Sequence, residues 1–136
     1  MAKDKIVAGT LKTRSESSDS TPLMLQYQKI KDEHKKEVLF FRLGDFYEMF
    51  NEDALEVSRL LNLTLTHRGT QPMCGIPYHA AKIYISRLLR LGKKIAVCEQ
   101  VGENPNGKGL AERKVIEIIT PGTALESEYL DGGANN

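Results

Sequence analysis

At 136 residues the chain is long enough for one domain around a single core and too short for two comfortable ones. Its 40% hydrophobic and 27% charged residues are the make-up of a globular protein, and no apolar run approaches the ~20 residues of a bilayer span. A formal charge of +1 neither requires nor excludes a polyanionic partner, because the local arrangement of Lys and Arg steers association rather than their sum.

In chain order, residues 1–20 are rich in Lys, Ser and Asp, hold no apolar h-region and are expected to be a disordered arm with no secretory signal. Order is expected from Thr21-Pro22, an N-cap followed by proline at the first helical position. Leu23, Tyr27 and Ile30 then recur at helical spacing, and the helix is expected to fade by Lys36. Val38 to Leu43 reads as a short central strand, since it has too little polar alternation for an exposed edge. Asn51-Glu52-Asp53 places a cap and two acids at the start of a second helix, which Ala54, Val57 and Leu61 carry to about Asn62. Leu63-Thr64-Leu65-Thr66 alternates as a half-buried strand does, and Thr70 to His79, with two prolines and a glycine, reads as an ordered loop. A third helix is expected from Ala80 to just before Gly92, then a strand over Lys94 to Gln100. Gly102 to Ala111 has three glycines and reads as a mobile loop, and a last strand over Lys114 to Thr120 ends at Pro121-Gly122. The expected architecture is α+β: a mixed sheet of about four or more strands packed with about three helices. The domain is expected over 21–123, with 124–136 a tail or the start of a connection.

The segment Gly44-Asp45-Phe46-Tyr47-Glu48-Met49-Phe50 sets an aromatic beside a carboxylate just where the apolar run Val38-Leu39-Phe40-Phe41 breaks off. If strand alternation persists through it, Phe46 and Glu48 point to one side and Tyr47 to the other. A ring and a carboxyl on one face suit a flat, polar-edged ligand such as a nucleobase. The competing structural reading is that Phe46 caps the core. The acids Asp45, Glu48, Glu52 and Asp53 invite a divalent-metal reading, but three of the four are what a helix entrance ordinarily carries. Cys74, His79, Cys98 and His67 lack the paired spacing of a zinc site, and Cys98, in an apolar run, reads as a small core residue. Two cysteines make no disulfide framework, which suggests a reducing, cytoplasmic setting. No serine sits on a nucleophile elbow and no Gly-x-x-x-x-Gly-Lys-Ser is present, so no catalytic residues and no P-loop are expected. His67-Arg68-Gly69, Lys108 and Arg113-Lys114 place basic residues beside glycines or a loop, where a backbone approaches phosphate closely.

Several blocks then agree in order and spacing: Thr21-Pro22 with Tyr27, Phe41 through Phe50, Asp53-Ala54, Leu63 to Gly69, Pro72 through Ala80, Cys98-Glu99-Gln100, and Glu112 through Thr123. Together they resemble the N-terminal, mismatch-recognition domain of the MutS family of DNA mismatch repair proteins, over about residues 21 to 125. The resemblance implies a double-stranded DNA partner carrying mismatches or small loops and no membrane. It implies that Phe46 and Glu48 match the family's Phe-x-Glu motif, the ring stacking on a mispaired base from the minor groove of kinked DNA and the carboxyl bonding the same base. Arg68, Lys108, Arg113 and Lys114 are then candidate backbone contacts. Full-length members carry further domains, including an ATPase that uses ATP and magnesium, and form dimers. This chain is expected to be a monomeric fragment, without enzymatic activity, cofactor or bound metal. The connection from Gly69 to Pro72 is shorter than in many members. The alternatives are a small metal-dependent nuclease or hydrolase using Asp45 and Glu48, and a structural interaction domain in which Phe46 is buried.

Overall fold

The computed structural model describes residues 21–102 and 109–123; the expected arm at 1–20, the middle of the glycine-rich loop with Lys108, and the tail at 124–136 lie outside the described residues. Among these, three α-helices, α1 (Pro22–Asp32), α2 (Asn51–Leu61) and α3 (Ala81–Arg90), accompany six strands. The strands are β1 (Val38–Leu43), β2 (Phe46–Phe50), β3 (Thr66–Arg68), β4 (Gln71–Pro77), β5 (Ile95–Gly102) and β6 (Glu112–Ile119). They form one sheet in the order β3-β4-β2-β1-β5-β6, with β1 and β5 parallel and every other pair antiparallel. The expected α+β class and mixed sheet are therefore found.

Local chemistry accounts for most boundaries. The Thr21 hydroxyl accepts a hydrogen bond from Met24 N at 3.2 Å with Pro22 at the first helical position, so α1 starts as expected. It stops at Asp32, short of Lys36, because Asp32 to Lys36 offers no apolar residue to hold on the sheet. β1 is central, between β2 and β5, with its first four residues buried. No side chain caps α2: Asn51, the expected cap, has φ 56°, and the Asp53 carboxylate turns away to accept from Leu39 N at 3.0 Å and Lys31 Nζ at 2.9 Å.

Two further expectations are corrected. The alternating Leu63 to Leu65 stretch is not a strand; pairing begins at Thr66, and all three residues of β3 are exposed at the sheet's edge. The two-residue turn Gly69-Thr70 closes the hairpin at Arg68 and Gln71, and this fixes which residues can pair. The segment 70–79 is not a loop but contains β4, inserted between β3 and β2. Its prolines are tolerated because of where the missing N–H groups fall. Counted from the turn, Pro72 directs its nitrogen toward β2 beyond that strand's last pair, Phe50 with Met73, while Pro77 directs its own toward β3 beyond that strand's end.

The sheet is covered unequally. α2 and α3 bury one face with Ala54, Val57, Ile85 and Leu88 against Phe40, Tyr47, Met49 and Ile76. α1 covers the other with Leu23, Met24 and Tyr27 against Leu39, Phe41, Phe50 and Ala96. Tyr27 meets Phe41 and Phe50 edge-on, with ring centroids 5.4 and 4.8 Å away. Phe46 and Glu48 lie on the α1 side, where one helix leaves part of β2 uncovered.

Candidate functional site

The β1–β2 connection is the two-residue turn Gly44-Asp45, closed by the pair Leu43 and Phe46. Gly44 has φ 64°, the positive angle that a primed hairpin turn requires at its first central residue, and no atom lies within 4 Å of where its Cβ would be. The need for glycine at 44 is conformational. The turn places Phe46 as the first residue of β2, between Leu43 of β1 and Pro77 of β4. The Tyr78 N–H donates to the Asp45 carbonyl at 2.8 Å and extends that ladder past Pro77. Phe46 therefore stands on paired backbone from both sides, and the residue is 41% exposed. The aromatic residues Tyr27, Phe40, Phe41 and Phe50 are by contrast buried. Phe46 is thus set apart from both buried apolar clusters.

Strand alternation holds through β2: Phe46 is exposed, Tyr47 buried and Glu48 half-buried on the same side as Phe46. Glu48 is flanked by Phe41 of β1 and Gly75 of β4. Its carboxyl leans over Gly75, so that a Cβ there would lie 2.6 Å from Oε1 and 2.9 Å from both Cδ and Oε2. Loss of solvent around the carboxyl raises the Glu48 pKa above the ordinary carboxylate value, and the positive charge of Arg68 opposes the rise. A ring, a partly desolvated acid and a cation thus share one surface.

The family model for MutS domain I matches residues 21–128. The chain belongs to the MutS domain I family. It is 68% identical over 116 residues to the DNA mismatch repair protein MutS of Treponema denticola, a match covering 85% of this chain and 13% of that protein. The MutS of Treponema pallidum is 60% identical over 120 residues, covering 88% of this chain and 13% of the relative. The MutS of Borrelia turicatae is 53% identical over 118 residues, covering 87% and 14%. The chain thus spans about an eighth of the length of the relatives it matches.

Within this MutS domain I the basic residues separate. Arg68 is exposed on β3 and acts electrostatically on Glu48. Lys114, exposed on β6, pairs with Glu99, whose side chain serves the α2/α3 face, so alternation sends Lys114 to the face opposite Phe46. Lys108 lies outside the described residues. Arg113 is a correction: its buried guanidinium donates to Arg42 O at 2.7 Å and Gln26 Oε1 at 2.8 Å and rests 4.9 Å from the Phe41 ring centroid. It ties α1 to the sheet and is withdrawn from the phosphate contacts.

Among the described residues no three His, Cys, Asp or Glu side chains converge on a point that could hold a metal, and no helix is long and apolar enough to cross a membrane. Asp45 is exposed in the hairpin turn, and Asp53 is committed to Lys31 and the β1 backbone. Cys74 and Cys98 are buried, and burial pushes their thiols up to about 12 and about 11. Two contributors escaped the sequence. Gly75 in a strand interior signals a close approach, but that signal exists only once β4 is read as a strand. Arg42 places its guanidinium 3.9 Å from the Tyr78 ring centroid and pairs with Glu99 at 3.0 Å; Tyr47 donates its hydroxyl to the same Glu99. That cluster braces the hairpin from the face opposite Phe46.

Proposed function

We propose that this domain recognises mispaired or unpaired bases in duplex DNA from the minor groove, with Phe46 as an inserted wedge, Glu48 as the base-contacting carboxyl and Arg68 as a phosphate contact beside them. The observation that carries the reading is the exposed Phe46 ring on a hairpin braced on both sides, next to a half-buried carboxyl. A wedge that unstacks a base step kinks the duplex, and the kink is cheaper where pairing is already poor. Discrimination therefore arises from deformability, since one phenylalanine cannot read many different mismatches by their edge patterns. The wedge must also be stiffer than the stack it opens. Pairing of β2 with both β1 and β4 gives Phe46 that stiffness.

In this reading the domain performs no catalysis. ATP and magnesium, the dimer and the cytoplasmic setting belong to a longer protein of the relatives' kind. Lys108 and Lys114 are further candidate phosphate contacts. The deciding experiment places Phe46→Ala in a full-length protein of this family and compares affinities for mismatched and fully paired duplex. Stacking worth about 1 to 3 kcal/mol per base corresponds to roughly 5- to 150-fold, and most of the preference is expected to vanish at that scale. The circular dichroism spectrum is expected to be unchanged, because Phe46 belongs to neither buried apolar cluster. Retained discrimination overturns the wedge. Cleavage of DNA by the chain on adding magnesium or manganese replaces the reading with the nuclease alternative at Asp45 and Glu48.

A further inference from the structure

Gly75 is in extended backbone within β4, with no positive φ to demand glycine. A glycine inside a strand sacrifices side-chain packing and costs chain entropy on folding, so its presence calls for another reason. The reason lies across the strand pair. Glu48 and Gly75 are direct partners at a non-hydrogen-bonded position, where facing Cα atoms are closest, about 4.5 Å apart. The carboxyl of Glu48 occupies the volume that a side chain at 75 would fill: all three of its terminal heavy atoms fall within 2.9 Å of the Cβ position. No real Cβ tolerates such contacts, and the group obstructed is the mobile end of a side chain rather than backbone. A methyl at 75 therefore moves the carboxyl and leaves the sheet in place.

We infer that Gly75 is a positioning residue for recognition: by having no side chain it lets the Glu48 carboxyl lie flat on β4 beside Phe46, and any larger residue swings the carboxyl off that surface. The inference rests on the proposed base contact of Glu48. It adds that the contact depends on where the carboxyl is held, so displacing the group is as damaging as deleting it. Held against the strand, the carboxyl has lost part of its water, in keeping with its raised pKa. Released, it regains water and faces the bound duplex from another place.

The test is a double-mutant cycle in a full-length protein of this family, with wild type, Gly75→Ala, Glu48→Ala and the double variant compared for mismatch preference and for stability in urea. Gly75→Ala is expected to lose the same fold of mismatch preference as Glu48→Ala, and to lose nothing further when Glu48 is already alanine. The Glu48 carboxyl resonance is expected to titrate closer to an ordinary glutamate in Gly75→Ala. In stability, Ala at 75 is expected to raise the urea midpoint in the Glu48→Ala background, where the space is vacant and glycine's entropy cost is removed, and not in the wild-type background. A Gly75→Ala protein that keeps full discrimination while Glu48→Ala loses it overturns the positioning role. An equal fall in midpoint in both backgrounds shows that Gly75 serves the strand and not Glu48, and also overturns it. If Gly75→Ala does not fold, the double variant still decides: normal folding supports the placement and failure refutes it. Unchanged discrimination in Glu48→Ala defeats the base contact itself, and with it the recognition role of Gly75.

Discussion

Glu48 enters any complex with its charge already disfavoured, since burial raises its pKa in the free domain and Arg68 offsets only part of the rise. A folded pKa above the unfolded one contributes stability that is full below the ordinary carboxylate range and lost as pH rises through the folded value. Glu48→Gln, neutral at every pH, is therefore expected to unfold at higher urea than wild type at pH 7 and with little difference at pH 4. DNA phosphates add negative potential and further desolvation, which pushes the pKa up again. Glu48→Gln is accordingly expected to bind both matched and mismatched duplex more tightly at neutral pH, and Glu48→Ala to gain matched affinity while losing the base contact. Affinities across pH at fixed salt check this; a Gln variant weaker on both duplexes means that the ionised carboxylate contributes favourably. The pairing of Phe46 with Glu48 on one face was legible in the sequence because alternation is a backbone property. The place of Gly75 was not, since it depends on which residue faces Glu48 across a strand pair.

Among the elements, the helices were legible because their signals are local: Thr21-Pro22 starts α1, and 3.6-residue spacing runs through Ala54, Val57 and Leu61. β4 is hidden in the sequence because its proline content argues against a strand, and only the register shows that both prolines need no donor. For a related reason the sequence offers Arg113 as a phosphate contact. Beside Lys114 it looks like a surface cation, yet it lies buried at the joint of α1, β1 and β6, with burial also lowering its pKa. An Arg113→Met variant leaves the Arg42 carbonyl and Gln26 amide oxygen without their donor; an unmet buried group costs about 1 to 3 kcal/mol, and these two, only partly buried, fall at the low end of that range. A fall in stability of about 2 kcal/mol, about 1 for each partly buried acceptor, is expected in urea, with an unchanged slope. DNA affinity should keep its salt dependence wherever the variant is folded. Arg68→Ala should do the reverse, leaving stability nearly intact while reducing the magnitude of the salt slope by about 1. Equal salt slopes for Arg68→Ala and wild type remove Arg68 from the phosphate contacts.

For the molecule as a whole, the sheet is a wall between two apolar clusters, and the two cysteines stand on opposite sides of it: Cys74 with α2 and α3, Cys98 with α1. The strands are common to both clusters, so neither can dissolve without exposing backbone pairing that the other needs. α1 is the element that tests this, being a single helix held by Leu23, Met24 and Tyr27 and by the polar ties of Gln26 with Arg113 and Lys31 with Asp53. Only a thiolate reacts quickly with an alkylating agent. Burial pushes the two thiols up to about 12 and about 11, so the thiolate is scarce at pH 8, and both are also walled off from reagent. Native protein at pH 8 is therefore expected to resist brief alkylation at both sites, and across a urea series the two cysteines should become reactive together, at the midpoint seen by circular dichroism. Pulse alkylation with mass-spectrometric readout of each site makes the measurement. Labelling of Cys98 at a lower urea concentration than Cys74 means that α1 lifts from the sheet on its own, and the two clusters are then separate units of stability.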